Sequence, residues 1–236
     1  GLMQKVRSIK TLEEIALIQK AIKITERALR ATIEHLRPGM TEIAVATFFE
    51  DLCREQGADG LAFPTIVAAG HNGSQPHAQP SKKKIRKGEL VTIDCGARVD
   101  GYHADITRTV SLGKPAPQLK AMYDAVFEAQ SVGLASIAPG VPAAQVDEVC
   151  RAVIESRGFG RYFTHATGHG VGLEVHELLV LSRQSKDVLF ENMVVTCEPG
   201  IYIPGVGGVR IEDVARVTRR GMIQLSNGIP RTLIVL

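Results

Sequence analysis

Asp94 and Asp105 are the residues whose type and spacing most directly suggest chemistry. They flank Asp100-Gly101, a pair that favours a two-residue type I′ turn when it joins alternating apolar runs. That turn would set Val99 opposite Tyr102 and Asp94 opposite Thr107. Asp105 then shares a face with Asp94 as a diagonal neighbour, roughly 7–8 Å away at Cα. Two carboxylates buried in one small region need a cation. The plainer alternative leaves both as solvent-facing strand residues.

The same construction recurs further along. Leu36-Arg37-Pro38-Gly39-Met40 and the amphipathic run after it resemble Ile137-Ala138-Pro139-Gly140-Val141 and its run, at an offset of 101 residues. Pro76-His77-Ala78 parallels Val175-His176-Glu177, Val91 to Asp94 parallels Val195 to Glu198, and Ala104-Asp105-Ile106 parallels Ile211-Glu212-Asp213. Such a repeat, too long for a solenoid, predicts two similar halves about a pseudo-twofold axis, with four carboxylates converging between them. Glu198 and Glu212 would share a face if the turn over Gly205 to Gly208 has an odd number of residues or a bulge. His169, in Gly168-His169-Gly170-Val171-Gly172, adds a nitrogen donor; that segment satisfies neither GxGxxG nor a P-loop pattern. Asp94, Asp105, His169, Glu198 and Glu212 suit a pair of divalent ions such as manganese, cobalt, iron or zinc, whose charge matches that of four carboxylates.

The elements that must position these residues are legible in outline. Thr11-Leu12-Glu13-Glu14 reads as a capping box opening a long helix that ends before Pro38-Gly39, and Thr41 caps a second helix that stops at Gly57. Ile66 to Ala69 reads as a strand, Gly70 to Ser81 as a loop carrying His71 and His77, and Leu90 to Val110 as the first hairpin. After the Lys114-Pro115-Ala116-Pro117 linker, the helical stripes from Leu119 to Ile137 and from Val146 to Ile154 repeat the plan. Val194 to Glu198 and Val209 to Val217 read as strands. These features predict one α+β domain over residues 1–236, with halves of about 8–113 and 118–236.

With 44% hydrophobic and 22% charged residues, the chain has the composition of an ordinary globular protein. A net charge of +3 is too mild to argue for nucleic acid, and Lys82 to Lys87 reads as a solvated loop. Cys53, Cys95, Cys150 and Cys197 lack CxxC spacing and are expected to be reduced. No run approaches a membrane span and no signal peptide is visible, so the expected compartment is the cytoplasm. Gly1-Leu2 ahead of Met3 is read as a cloning remnant.

Five segments then carry a family resemblance: Ile93 to Gly96, Ala104 to Thr109, Gly168 to Gly172, Cys197 to Tyr202 and Arg210 to Asp213. Over nearly its whole length the chain resembles the catalytic domain of the metallopeptidases with the pita-bread fold, among them methionine aminopeptidase, prolidase and Xaa-Pro aminopeptidase. The resemblance implies helices packed on a curved, mainly antiparallel sheet. It also implies two metal ions, with manganese favoured: Asp94 on one, Asp105 and Glu212 bridging both, His169 and Glu198 completing the second. His77 and His176 correspond to histidines that contact substrate or the tetrahedral intermediate, and Glu198 to the proton shuttle. His165 and Arg210 resemble the proline-specific branch and would hold the prolyl side of the substrate. Arg210 also has a plainer role, a salt bridge to a site carboxylate. His103 is read as standing behind the ligands and His71 as incidental.

The implied reaction is hydrolysis of an Xaa-Pro bond in a short peptide by a hydroxide held between two metals. A homodimer is expected, with no nucleic-acid or membrane partner. Methionine aminopeptidase, a metal-free amidinohydrolase and a non-catalytic scaffold are the rival readings. Two departures stand out. Leu178-Leu179-Val180-Leu181 follows His176-Glu177 where the family usually places a proline, and the N-terminal domain common in the proline-specific branch has no counterpart in these residues.

Overall fold

A computed structural model describes residues 2–236; Gly1 of the expected cloning remnant lies outside them. The chain opens with α1 (Leu2–Ser8), α2 (Leu12–His35) and α3 (Glu42–Glu55), then β1 (Gly60–Leu61) and β2 (Ile66–Ala69). A 3-10 turn over Gly70–Ser74 leads through a loop to β3 (Leu90–Cys95), β4 (Ala97–Val99), β5 (Tyr102–His103) and β6 (Ile106–Ser111). The second half holds α4 (Pro117–Ser136), α5 (Ala143–Ser156), β7 (Gly168–Gly170), β8 (Glu177–Leu181) and β9 (Val194–Cys197). It ends with β10 (Gly200–Ile203), β11 (Gly207–Arg210), β12 (Asp213–Thr218) and β13 (Gly221–Gln224).

Local signals explain the helices. Thr11 Oγ1 accepts from Glu14 N at 3.2 Å while Glu14 Oε2 accepts from Thr11 N at 2.8 Å, so the capping box closes in both directions. Ile18, Ile22 and Leu29 of α2 are fully buried, each contributing about 1.5–3 kcal/mol by leaving water. Thr41 caps α3 by accepting from Ala44 N.

The first hairpin has the predicted register: Val99 faces Tyr102 and Asp94 faces Thr107. Asp100 and Gly101 both have positive φ, 50° and 82°, as a type I′ turn requires. Gly96, between β3 and β4, comes so close to the facing segment between β5 and β6 that a Cβ on it would lie 1.9 Å from the Ala104 carbonyl oxygen. Only glycine permits that approach, which turns the ladder where Asp94 and Asp105 project.

The repeat is equally visible. α3 and α5 begin at Glu42 and Ala143 and end at Glu55 and Ser156, preserving the offset at both ends. Gly39 and Gly140 have φ of 91° and 83°, and their N–H groups donate to Ile85 O and Leu189 O, each at 2.8 Å. Two apolar cores form, one mainly under the helices of each half, with Val171, Val194 and Val214 joining the first and Leu90 the second. The halves join along β6 and β11, where Thr109 Oγ1 donates to Arg210 O at 2.9 Å and accepts from Arg210 N at 3.2 Å.

Several features differ from expectation. α1, β1, the β7–β8 ladder, β10 and β13 have no counterpart among the expected elements, and the strand expected from Val209 to Val217 is broken at Ile211-Glu212. The break lies opposite Glu198-Pro199, where the facing arm is interrupted too; Gly200 faces Arg210 before it and Cys197 faces Asp213 after it, in one continuous register. No described helix is long and apolar enough to cross a membrane. The four cysteines are free and buried.

Candidate active site

Every residue of the expected ligand set sits at a strand end, a strand break or a bulge. Asp94 is the penultimate residue of β3, and Asp105 lies between β5 and β6. Glu198 follows β9, Glu212 lies between β11 and β12, and His169 is central in β7 beside a bulge. The Pro204-Gly205-Val206 loop has three residues, so Ile203 faces Gly207 and Gly200 faces Arg210. Continuing that register puts Glu198 opposite Glu212, as predicted.

The five side chains converge. His169 Nε2 lies 3.2 Å from Glu198 Oε1 and 3.5 Å from Asp105 Oδ2. One donor atom each from Asp105, His169 and Glu212 falls within 4.8 Å of the others. Asp94 reaches the same pocket with Oδ2 held by Arg210 Nη2 at 2.5 Å. Thr107 Oγ1 donates to Glu212 Oε2 at 2.7 Å, and Thr196 Oγ1 accepts from His169 N and donates to Glu198 Oε1.

Two observations show that this set fits a cation. Asp94 Oδ1 and Glu212 Oε1 are buried without a hydrogen-bond partner, a costly state for carboxylate oxygens unless they coordinate. His169 Nδ1 lies 3.1 Å from Gly170 O, so its proton belongs there and Nε2 faces the acids as a ligand would. Electrostatics agree. Burial, then repulsion from Glu212, Asp94 and Glu198, lifts Asp105 well above the carboxylate range; Glu212 is lifted by burial, Glu198 and Asp94. Without metal, burial would lower His169, but Glu198 holds it above its ordinary pKa. Burial would likewise lift Glu198, but the hydrogen bond and charge of that protonated ring outweigh it and bring Glu198 to about 2.

A cavity of about 430 Å³ opens over these groups. His77 and His176 stand exposed at its wall, and the His176 ring packs edge-on to His169 with centroids 4.4 Å apart. Partial desolvation at the cavity wall and then His169 hold His176 below its ordinary pKa, favouring the neutral ring. Phe63, Pro64, Ile66, Val175 and Val180 supply an apolar lining. Leu178 and Leu179 form the bulge opposite His169 and Gly170, with Leu179 buried at φ 87°, and the flanking Glu177 and Val180 line the cavity.

His165 and Arg210 both line the cavity, but their polar atoms are engaged within the protein. Arg210 donates to Asp94, to Thr107 Oγ1, to Pro76 O and, at 2.7 Å, to Tyr202 OH. His165 Nδ1 faces Ala166 O at 2.7 Å, so Nε2 accepts from Tyr202 OH at 2.9 Å. The geometry therefore favours the plainer of the two roles for Arg210, a salt bridge to Asp94, over a fork open to substrate. Tyr202, which joins the two, was missed. Strand alternation offered the signal, since 198, 200 and 202 share a face with 210 and 212. Thr107 and Thr196 were also missed as partners of the acids. His103 stands behind the site with Nδ1 near Gly172 O, and His71 is exposed.

A sequence model of the metallopeptidase family M24 matches residues 16–219. The chain belongs to that family. Among curated relatives, an uncharacterized peptidase YqhT of Bacillus subtilis is 47% identical over 99% of this chain and 66% of its own length. A Xaa-Pro dipeptidase of Pyrococcus furiosus is 44% identical over 95% of this chain and 64% of its own. The solved X-Pro aminopeptidase of Thermotoga maritima superposes with a TM-score of 0.97 at 40% identity, covering all of this chain and 66% of that one. This M24 chain thus has the pita-bread fold and spans just under two thirds of the curated relatives it matches.

Proposed function

We propose that this M24 chain is the catalytic unit of a two-metal exopeptidase that hydrolyses the Xaa-Pro bond at a peptide N-terminus or in a dipeptide. The observation that carries the reading is the convergence of four carboxylates and His169, with two orphaned carboxylate oxygens, under a cavity walled by His77, His165 and His176. The names of its relatives, Xaa-Pro dipeptidase and X-Pro aminopeptidase, support the substrate class.

Asp94, Asp105, His169, Glu198 and Glu212 would hold two divalent ions, manganese favoured. Such ions lower the pKa of water and polarise a carbonyl. Glu198, whose Oε1 points at His169, takes the proton from the attacking water and passes it to the leaving nitrogen. His176 and His77 donate to the oxygen that gains charge, a contact worth roughly 3–4 kcal/mol when well placed. His165 turns its polar atoms to Ala166 and Tyr202, which leaves the ring itself as a wall for the prolyl ring. Arg210 keeps Asp94 and Tyr202 in place.

A homodimer and a cytoplasmic site of action accompany this reading, testable by light scattering and by fractionation. The deciding assay compares Xaa-Pro dipeptides, Xaa-Pro-Xaa tripeptides and Met-Ala-Xaa peptides with added manganese or cobalt, alongside metal analysis. The proposal requires proline substrates to be cleaved far faster, with two ions bound per chain. Faster cleavage of methionyl peptides, or no bound metal, overturns it.

A further inference from the structure

His77 stands exposed on a long loop, so its place at the cavity depends on how the backbone of that loop is held. Glu42, the first residue of α3, is completely buried and reaches both ends of that loop. Its Oε1 accepts from Ala69 N at 2.8 Å and Asn72 Nδ2 at 3.1 Å. Its Oε2 accepts from Asn72 Nδ2 at 3.1 Å, Ser81 N at 3.1 Å and Ser81 Oγ at 2.7 Å. Every one of these partners is a neutral donor. One carboxylate thus gathers the start, the 3-10 turn and the end of the segment that carries His77.

The segment is pinned from the other side as well. Gly73 lies backbone to backbone on Gly208, where a Cβ on Gly208 would come within 1.9 Å of Gly73 O. Pro76 O accepts from Arg210 Nη1 at 3.2 Å. These two contacts come from the second half, next to Glu212; Glu42 is the buried anchor supplied by the first half. Ala143 stands at the equivalent helix start in the second half and can accept nothing through its side chain.

We propose that Glu42 is a positioning residue for the reaction, setting His77 against the substrate by closing the 69–81 loop around one buried carboxylate. The proposal rests on the reading of His77 as a substrate-contacting residue. Misplacing a catalytic group by about 1 Å costs up to about a hundredfold in rate, so loss of the anchor should be read in kcat. The isosteric Glu42→Gln is informative because its amide would present donors to a ring of donors.

The experiment is a double-mutant cycle on the manganese-loaded chain with an Xaa-Pro dipeptide, using Glu42→Ala, Glu42→Gln, His77→Ala and the Glu42→Ala/His77→Ala pair. Metal content and hydrogen exchange at 69–81 are measured on each. Glu42→Ala is expected to lose between about tenfold and a hundredfold in kcat with KM and metal content near wild type, and to exchange faster at 69 and 81. In the His77→Ala background it should cost little more. Full additivity, or a wild-type kcat for both Glu42 variants, overturns the proposal. Should Glu42→Ala fail to fold, Glu42→Gln carries the same cycle. A wild-type rate for His77→Ala overturns the reading of His77, and this role for Glu42 with it, whatever the exchange data show.

Discussion

The two halves share the 14-residue helices α3 and α5, the turn glycines before them and a central strand triplet, β2-β3-β6 and β7-β9-β12, yet they fasten their pocket-lining segments differently. In the first half Glu42 meets only neutral donors. In the second, Glu177 beside His176 is held by cations from the N-terminal segment, Lys10 Nζ and Arg7 Nη2, each at 2.8 Å. Asp147 of α5 combines both styles: it accepts from Thr167 N and Oγ1 and pairs with Arg151, whose guanidinium also reaches the carbonyls of Phe163 and His165. A duplicated fold thus fixes where the site lies, while separate buried carboxylates fix how each wall is held.

The strongest way to break this comparison is through the acids that face each other across the halves. Asp105 and Glu212 occupy corresponding positions and lie within one donor cluster. Asp105→Asn and Glu212→Gln should therefore fail alike, each losing bound metal and at least about a hundredfold in kcat/KM, the upper end of what loss of a partner behind the ligands costs a metal site. Metal analysis after reconstitution checks this. Full metal content in either variant would show that the halves do not contribute equivalent ligands.

The charged anchor of the second half gives the next largest effect. Lys10 and Glu177 have side chains only 2% and 5% exposed. Burial holds Lys10 below its ordinary pKa despite the Glu177 charge. Lys10→Met leaves a buried carboxylate with Arg7 as its remaining cation, so a loss of about 3 kcal/mol is expected, the low end for breaking a buried pair. Urea unfolding measures it. A loss of under about 1 kcal/mol would place this pair with ordinary surface bridges.

Chelation separates the shared site from both anchors through its pH dependence. Asp105 and Glu212 have raised pKa values in the metal-free fold. Above about pH 4 the unfolded chain has released protons that the folded chain still holds, so metal-free stability falls as pH rises toward the folded values. Bound metal replaces those protons and removes the penalty. The drop in Tm on chelation should thus be larger at about pH 8 than at about pH 5. An equal drop at both would mean that the acid cluster does not dominate metal linkage.

Much of this architecture was legible in the sequence because it depends on short-range rules. The Asp100-Gly101 turn set the register that aligns Asp94 with Thr107, and Pro-Gly pairs marked both helix ends. Glu198 and Glu212 followed from alternation once a three-residue turn was allowed. Glu42, Lys10 and the Leu178-Leu179 bulge were not legible, and for Tyr202 alternation gave the face but not the partners. Glu42 meets partners 27 to 39 residues away, and Lys10 meets Glu177 across 167. No periodicity encodes which distant donor a buried carboxylate will find. Arg210 shows the same limit: alternation put it on the site face and left open a salt bridge or a substrate contact, and the fold decides for the bridge to Asp94 and adds the bond to Tyr202.

The smallest effect tests the duplication itself. Gly39 and Gly140 adopt φ of 91° and 83° in the turns before α3 and α5, and a Cβ at either position would meet nothing within 4 Å. An alanine there suffers no clash, so the cost is that of forcing an L-residue into left-handed backbone, about 1–2 kcal/mol. Each glycine N–H makes a 2.8 Å bond to the strand-leading loop of its own half, and alanine preserves that bond. Gly39→Ala and Gly140→Ala should therefore destabilise by the same amount, within about 0.5 kcal/mol, and the double variant should lose the sum because the two turns share no partner. Urea midpoints of the three proteins measure this. A difference of more than about 1 kcal/mol between the single variants would mean that the neighbouring anchors, neutral in one half and charged in the other, reach back into the turns.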